Sequence, residues 1–116
     1  MEITVTVKKK TLVASLHGEL DHHTAKEVKD LIEEVIKNKG VKNLIFDFSN
    51  LSFMDSSGIG VIVGRYKLIC SIGGKVAIAG ASKTVKRLIL MSGISKLIET
   101  FESVDEAFYT LQEEIS

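Results

Sequence analysis

The sequence predicts an α/β fold built on one mixed sheet. Three observations predict it: apolar residues alternate with a period of two near the N-terminus, helix-period segments follow, and short β-branched runs separate those segments. The predicted order is ββαβαβαβα. An opening hairpin followed by strand-helix alternation indicates parallel later strands, joined by right-handed crossovers and covered by helices. With 116 residues and 45% hydrophobic content, residues 1–116 are expected to form one domain.

The N-terminal half contains a predicted hairpin, a helix and a buried strand. Apolar residues occupy every second position in residues 3–7 and 12–16, the period of a strand with one buried face. From about Thr24 the apolar spacing changes to that of a helix, and Gly40 is a stop signal. Residues 44–48 are mostly β-branched or aromatic and predict a buried strand, which a loop over residues 49–56 should follow.

The C-terminal half continues the alternation. A second helix is predicted over about residues 57–72, and residues 75–80 read as another buried strand. Ser82 can cap a third helix, and a short strand near residues 97–101 follows. Residues 103–106 form a capping box that starts the last helix. The predicted inward face of that helix comprises Phe108, Leu111 and Ile115.

The charge balance and the cysteine content limit the possible partners and the cellular compartment of the protein. Fifteen basic and fifteen acidic side chains cancel, and the pI is about 6.8, so no long-range field attracts nucleic acid or anionic lipid. Cys70 is the only cysteine, which excludes an intramolecular disulfide, and the N-terminus lacks an apolar signal core. We therefore expect a cytoplasmic protein with neither a nucleic acid nor a membrane as its partner.

The segment LSFMDSSGIG, residues 51–60, lies where a parallel strand passes into a helix. Ligand sites in open α/β sheets gather beyond the carboxyl ends of the strands. A helix N-terminus also favours an anion, including a phosphate carried on a serine, because its N–H groups are free and its dipole is positive. In a purely structural interpretation, Asp55 or Ser56 simply caps the helix. The spacing leaves both interpretations open.

Three glycines, Gly58, Gly60 and Gly64, fall in the first turns of the same predicted helix. Each costs about 0.8–1 kcal/mol relative to alanine. Either close packing against the sheet or a bare backbone surface for a partner could offset that cost. A nucleotide-binding module is an alternative, but the Gly-x-Gly-x-x-x-Gly spacing is one residue too long for the dinucleotide fingerprint.

Adjacent histidines, His22 and His23, raise the possibility of a metal or an enzyme. Their side chains diverge and no third ligand stands at supporting spacing, so no metal site is predicted. A small serine-nucleophile enzyme built on Ser56, a histidine and an aspartate is a further alternative, yet the glycine-flanked nucleophile elbow is missing. Asp21 or Thr24 is expected to cap the first helix from an exposed loop.

Cys70 and the basic residues of the third helix are interpreted as structural features rather than as parts of a reactive site. Cys70 follows Tyr66 by one turn in an apolar helix and is predicted to be a buried core residue. The third predicted helix carries three basic side chains, those of Lys83, Lys86 and Arg87. They predict a solvent-exposed helix face, which could also contribute to a partner surface.

Three segments together resemble the anti-sigma factor antagonists of the STAS domain family. They are GELDHHT at residues 18–24, LSFMDSSGIGVIVGRYK at residues 51–67, and VKRLILMSG at residues 85–93. The resemblance covers nearly the whole chain in order, and it is strongest toward the sporulation members found in endospore-forming bacteria. It implies the STAS fold, in agreement with the predicted element order.

The resemblance implies that Ser56 is a phosphoacceptor, with Ser57 as the second candidate. The implied partners are an anti-sigma factor that is also an ATP-dependent serine kinase, and a serine phosphatase. The unphosphorylated chain would bind the anti-sigma factor and free the sigma factor. Asp21 matches a family position at the partner interface. No catalytic residue, metal or cofactor is implied for the chain itself. The predicted partner-binding residues are Asp21, Asp55, Ser57, Gly58, Ile59 and Gly60.

Overall fold

A computed structural model describes the backbone of residues 1–115 and the side chains of residues 1–113. The strands are β1 (Glu2–Lys8), β2 (Thr11–Leu20), β3 (Asn43–Met54), β4 (Val76–Ala79) and β5 (Glu99–Phe101). The helices are α1 (Ala25–Asn38), α2 (Ser56–Ser71), α3 (Lys83–Ser92) and α4 (Val104–Ile115), with a 3-10 turn at Ile94–Lys96. The predicted α/β class and the order ββαβαβαβα are confirmed.

The five strands form one sheet in the order β1-β2-β3-β4-β5. β1 pairs antiparallel with β2, whereas the β2–β3, β3–β4 and β4–β5 pairs are parallel. Each parallel connection therefore runs through a helix, as the alternation predicted. Because the carboxyl ends of parallel strands share one edge, α1, α2 and α3 all begin at that edge of the sheet.

Helices cover both faces of the sheet. One face packs against α1, α2 and α3, and the inward residues of β2 that the alternation predicted are fully buried there. On the other face α4 packs over β3, β4 and β5, and Phe108 and Leu111 face the sheet as predicted. The side chain of Ile115 lies outside the described residues. In the part of the chain that the structure describes, no helix is long and apolar enough to cross a membrane.

The prediction of a loop over residues 49–56 is wrong, because β3 continues to Met54. The second half of β3 pairs with β2 alone, because β4 ends opposite Asp47. In this part of β3, Leu51 lies opposite Gly18 and Met54 lies opposite Leu20. The polar residues that suggested a loop are exposed on this one-sided extension. The extension carries the start of α2 to the end of β2, and this position decides where the candidate site forms.

The prediction that Cys70 is buried is also wrong, since the residue is exposed. Its thiol interacts with the Tyr66 hydroxyl, and this hydrogen bond raises the pKa of Tyr66 above its ordinary value. α2 is apolar around much of its circumference, so periodicity in the sequence does not distinguish its buried face from its exposed one. The inward residues are Gly58, Val61, Ile62, Arg65 and Ile69.

Candidate functional site

The carboxyl ends of β2 and β3 bring two loops together. Leu20 lies opposite Met54 at the end of the parallel ladder, and the backbone N–H of Asp55 donates to the Leu20 carbonyl at 3.3 Å. The chain therefore leaves β2 and β3 side by side. Asp21 is the first residue after β2, and Asp55 is the first residue after β3. The predicted site residues, far apart in the sequence, lie around this single junction.

Asp55 caps α2, as one of the two sequence interpretations proposed. Its backbone is extended, and its Oδ1 accepts a hydrogen bond from the Ser57 N–H at 2.8 Å. Its carbonyl accepts from the Gly58 N–H at 3.0 Å. The helix thus begins at Ser56, one residue earlier than predicted. Ser56 is exposed in the first helical position, whereas Ser57 is half-buried.

The loop after β2 is organised by Asp21. Its Oδ1 accepts hydrogen bonds from the N–H groups of His23 at 2.9 Å and Thr24 at 3.2 Å. Thr24 is the N-cap residue of α1, but its side chain makes no capping bond and instead donates to the Glu19 carbonyl at 2.8 Å. Partial burial pushes the pKa of Asp21 up, but these donors outweigh it and leave the pKa lowered. A fixed, ionised carboxylate therefore follows directly after Leu20, whose carbonyl binds the capping residue of α2.

The two explanations for the glycines of α2 apply to different residues. A Cβ on Gly58 would collide with Cγ of Met54 and would lie 3.1 Å from Cγ of Leu20, so this glycine is required for packing. A Cβ on Gly60 or Gly64 would meet nothing within 4 Å. Gly60 is exposed and Gly64 is half-buried, so the outer backbone of α2 is accessible at Gly60.

Substitution by alanine should separate these roles. Gly58→Ala is expected to lower the free energy of unfolding by about 1 kcal/mol, because overpacking of about 1–3 kcal/mol exceeds the gain in helix propensity. The matched variant Gly60→Ala should raise that free energy by up to about 1 kcal/mol, since its methyl group meets no neighbour. Urea titration of both variants measures the difference. An equal gain in both would show that Gly58 is not packed as described.

A salt bridge secures α2 against α1. Nη2 of the buried Arg65 lies 3.1 Å from Oε2 of Glu33. Burial lowers the pKa of Arg65, while the neighbouring Glu33 and Asp30 oppose this shift. Removing one partner of a buried pair leaves an uncompensated charge, so this contact helps to hold the helix that presents Ser56.

The two histidines that raised the possibility of a metal or an enzyme lie in the loop after β2. His22 and His23 are exposed in the loop, as predicted, with ring centroids 5.5 Å apart. Among the side chains of residues 1–113, no hydrogen bond joins Ser56 to either histidine, and no three His, Cys, Asp or Glu side chains form a metal-binding group. On α3, Lys86 pairs with Glu102 at 3.3 Å.

Comparison with known proteins gives one consistent family. A family model described as the STAS domain matches residues 2–107. An anti-sigma F factor antagonist from Paenibacillus polymyxa is 38% identical over 112 residues, which cover 97% of this chain and 96% of the relative. Another from Lysinibacillus sphaericus is 34% identical over 88 residues, covering 76% and 75% of the two chains.

Solved structures agree with the sequence matches. Bacillus SpoIIAA in its phosphorylated form superposes with a TM-score of 0.74 at 30% identity, covering 94% of this chain and 98% of that one. A Thermotoga maritima protein superposes with a TM-score of 0.89 at 22% identity, covering 95% and 94%, and supports the fold alone. From its sequence and its fold together, this chain belongs to the STAS domain family.

Proposed function

We propose that this chain is an anti-sigma factor antagonist that phosphorylation of Ser56 switches off. The Paenibacillus polymyxa relative that carries this name covers nearly its whole length. The observation that carries the proposal is the position of Ser56, exposed at the first turn of α2 beside the Asp21 loop. A hydroxyl in this position is accessible to a kinase, and a phosphate there would meet the positive end of the helix dipole.

The proposed partner surface surrounds Ser56, and its members contribute in different ways. Asp21 supplies a fixed negative charge, and Gly60 supplies exposed backbone on the same side of α2. Ile59 is half-buried and offers apolar area beside them. The remaining residues of the predicted surface support the helix start: Asp55 caps it, Ser57 donates to that cap and Gly58 seats the helix on β2 and β3.

The proposed cycle makes the chain a ligand and a substrate, with no catalytic role of its own. Unphosphorylated, it binds an anti-sigma factor that is also a serine kinase, and the released sigma factor activates sporulation transcription in the cytoplasm. The kinase transfers the γ-phosphoryl group of ATP to Oγ of Ser56, releasing ADP. A serine phosphatase then hydrolyses the phosphoserine and restores binding. The chain needs no cofactor for these roles.

The two alternatives receive less support. The glycines of α2 pack against Met54 or lie on the outside of a regular helix, rather than forming a loop that could cradle a phosphate. A serine-nucleophile enzyme requires a base within hydrogen-bond reach of Ser56. Neither His22 nor His23 is hydrogen-bonded to that serine, although a catalytic contact can also tighten only when substrate binds.

Mass spectrometry distinguishes the three functions. The chain is incubated with the anti-sigma kinase of the same genome and with ATP, then digested and sequenced by fragmentation. A gain of one phosphoryl group on the peptide that contains Ser56 supports the switch. Steady hydrolysis of an ester substrate without that modification would support an enzyme. Saturable binding of ATP to the isolated chain without transfer would support a nucleotide-binding module.

The charge of Asp21 should contribute directly to partner binding. Asp21→Asn is expected to weaken association with the anti-sigma factor by about tenfold or more, the effect of losing one hydrogen bond to a charged group. The amide oxygen can still accept from His23 and Thr24, so the melting temperature should change little. His22→Ala in the same loop is the matched control, with wild-type affinity expected. Unchanged affinity for Asp21→Asn would remove this residue from the interface.

A further inference from the structure

The sheet face that carries α4 is only partly covered. α4 packs over β3, β4 and β5 and leaves the outer side of β1 and much of β2 open. A cleft of about 350 Å³ lies between the first two turns of α4 and this open part of the sheet. It is on the opposite face from α2 and is therefore separate from the Ser56 site. Its lining residues include Lys8, Val13, Asp47, Val104, Asp105 and Phe108.

Asp47 places a fixed negative charge in this cleft. Its Oδ2 accepts a hydrogen bond from the Ser15 hydroxyl at 2.7 Å, and its Oδ1 accepts from the N–H and hydroxyl of Ser49 at 3.1 and 2.6 Å. Partial burial pushes the pKa of Asp47 up, but these donors and the nearby His17 leave it lowered. A carboxylate offers about four acceptor positions, so three bonds leave room for one further donor.

Phe108 forms an aromatic wall of the cleft, and the ammonium group of Lys8 lies over its ring. Nζ of Lys8 lies 5.0 Å from the centroid of the Phe108 ring. Asp105, in the first turn of α4, adds a second carboxylate to the lining, in which Lys8 is the basic side chain. Lys8 is exposed at the end of β1. An exposed cation–π contact is worth only about 0.5–1 kcal/mol, so the lysine can be displaced at small cost.

We propose that this cleft binds a small organic cation, a primary alkylammonium. Its ammonium group lies among Phe108, Asp47 and Asp105, which line the same cleft, and displaces the Lys8 side chain from the aromatic ring. Its alkyl stem packs against Val13 and Val104. An aromatic face beside carboxylates is the chemistry that recognises such groups, and the apolar walls distinguish an alkylammonium from a bare metal ion.

The test uses butylammonium as the probe and the full-length chain labelled with nitrogen-15. Saturable amide shifts are expected at Val13, Asp47 and Phe108, with millimolar affinity because the probe has few atoms. 1-Butanol, of nearly the same shape but uncharged, should cause none. Lys8→Met removes the competing ammonium and should strengthen binding several-fold. Asp105→Asn should weaken it by about tenfold, the loss expected for one charged partner.

Asp47→Asn should weaken binding at least as much, but it also alters the contacts with Ser15 and Ser49. The exposed Asp105→Asn variant therefore decides the result independently of folding. Asp30→Asn on α1, on the other side of the sheet, is the matched control and should leave affinity unchanged. Equal affinity in the wild type, Lys8→Met and Asp105→Asn would overturn the proposal. Shifts scattered over surface carboxylates, or equal shifts with 1-butanol, would overturn it as well.

Discussion

Phosphorylation of Ser56 is expected to lower the affinity of the chain for its anti-sigma factor by at least about a hundredfold. The modification adds about −1.5 to −2 charges and three acceptor oxygens. At an interface the phosphate would lose its water, and burying such a charge without cationic partners is costly. The ionised carboxylate of Asp21 beside α2 adds like charge. A hundredfold loss requires only about 2.7 kcal/mol. Calorimetric titration of both forms measures it.

The same loss could arise from a conformational change, so the fold of the phosphorylated form is the control. A phosphate at a helix N-terminus is favoured by the dipole, and the exposed position of Ser56 requires no buried side chain to move. Amide shifts should therefore be confined to residues 55–60 and the adjoining loops. Widespread shifts over residues 3–16 and 103–115 would reject a local mechanism. Ser56→Asp should weaken binding less, since it carries one charge.

Ser56→Ala is expected to abolish phosphate incorporation while keeping most of the partner affinity. The hydroxyl is the only group removed, and α2 retains its cap because Asp55 accepts from the backbone N–H of Ser57. Intact mass after incubation with the kinase and ATP measures incorporation, and calorimetry measures affinity. Ser57→Ala is the matched control and should be phosphorylated normally. Undiminished incorporation in Ser56→Ala would move the acceptor to Ser57.

Residues 55–60 of the candidate site were predictable because they lie in one short segment with strong local signals. Asp55 caps α2 as the pattern allowed, and α2 begins within one residue of its predicted start. The nearness of Asp21 to Ser56 was implied only by resemblance, since the two residues are 35 positions apart. Parallel pairing of β2 with β3 brings them to one junction. The alkylammonium cleft had no sequence signal, because its lining comes from three strands and a distant helix.

By itself, the sequence determined the order of the elements, the inward face of β2 and the chemistry available at the start of α2. These follow from periodicity and capping, which act between residues a few positions apart. Only the tertiary structure decided that β3 extends to Met54, that Gly58 packs while Gly60 stays open, and that Cys70 is exposed. Each of these outcomes depends on which distant atoms occupy the neighbouring space. Local spacing carries no information about those atoms.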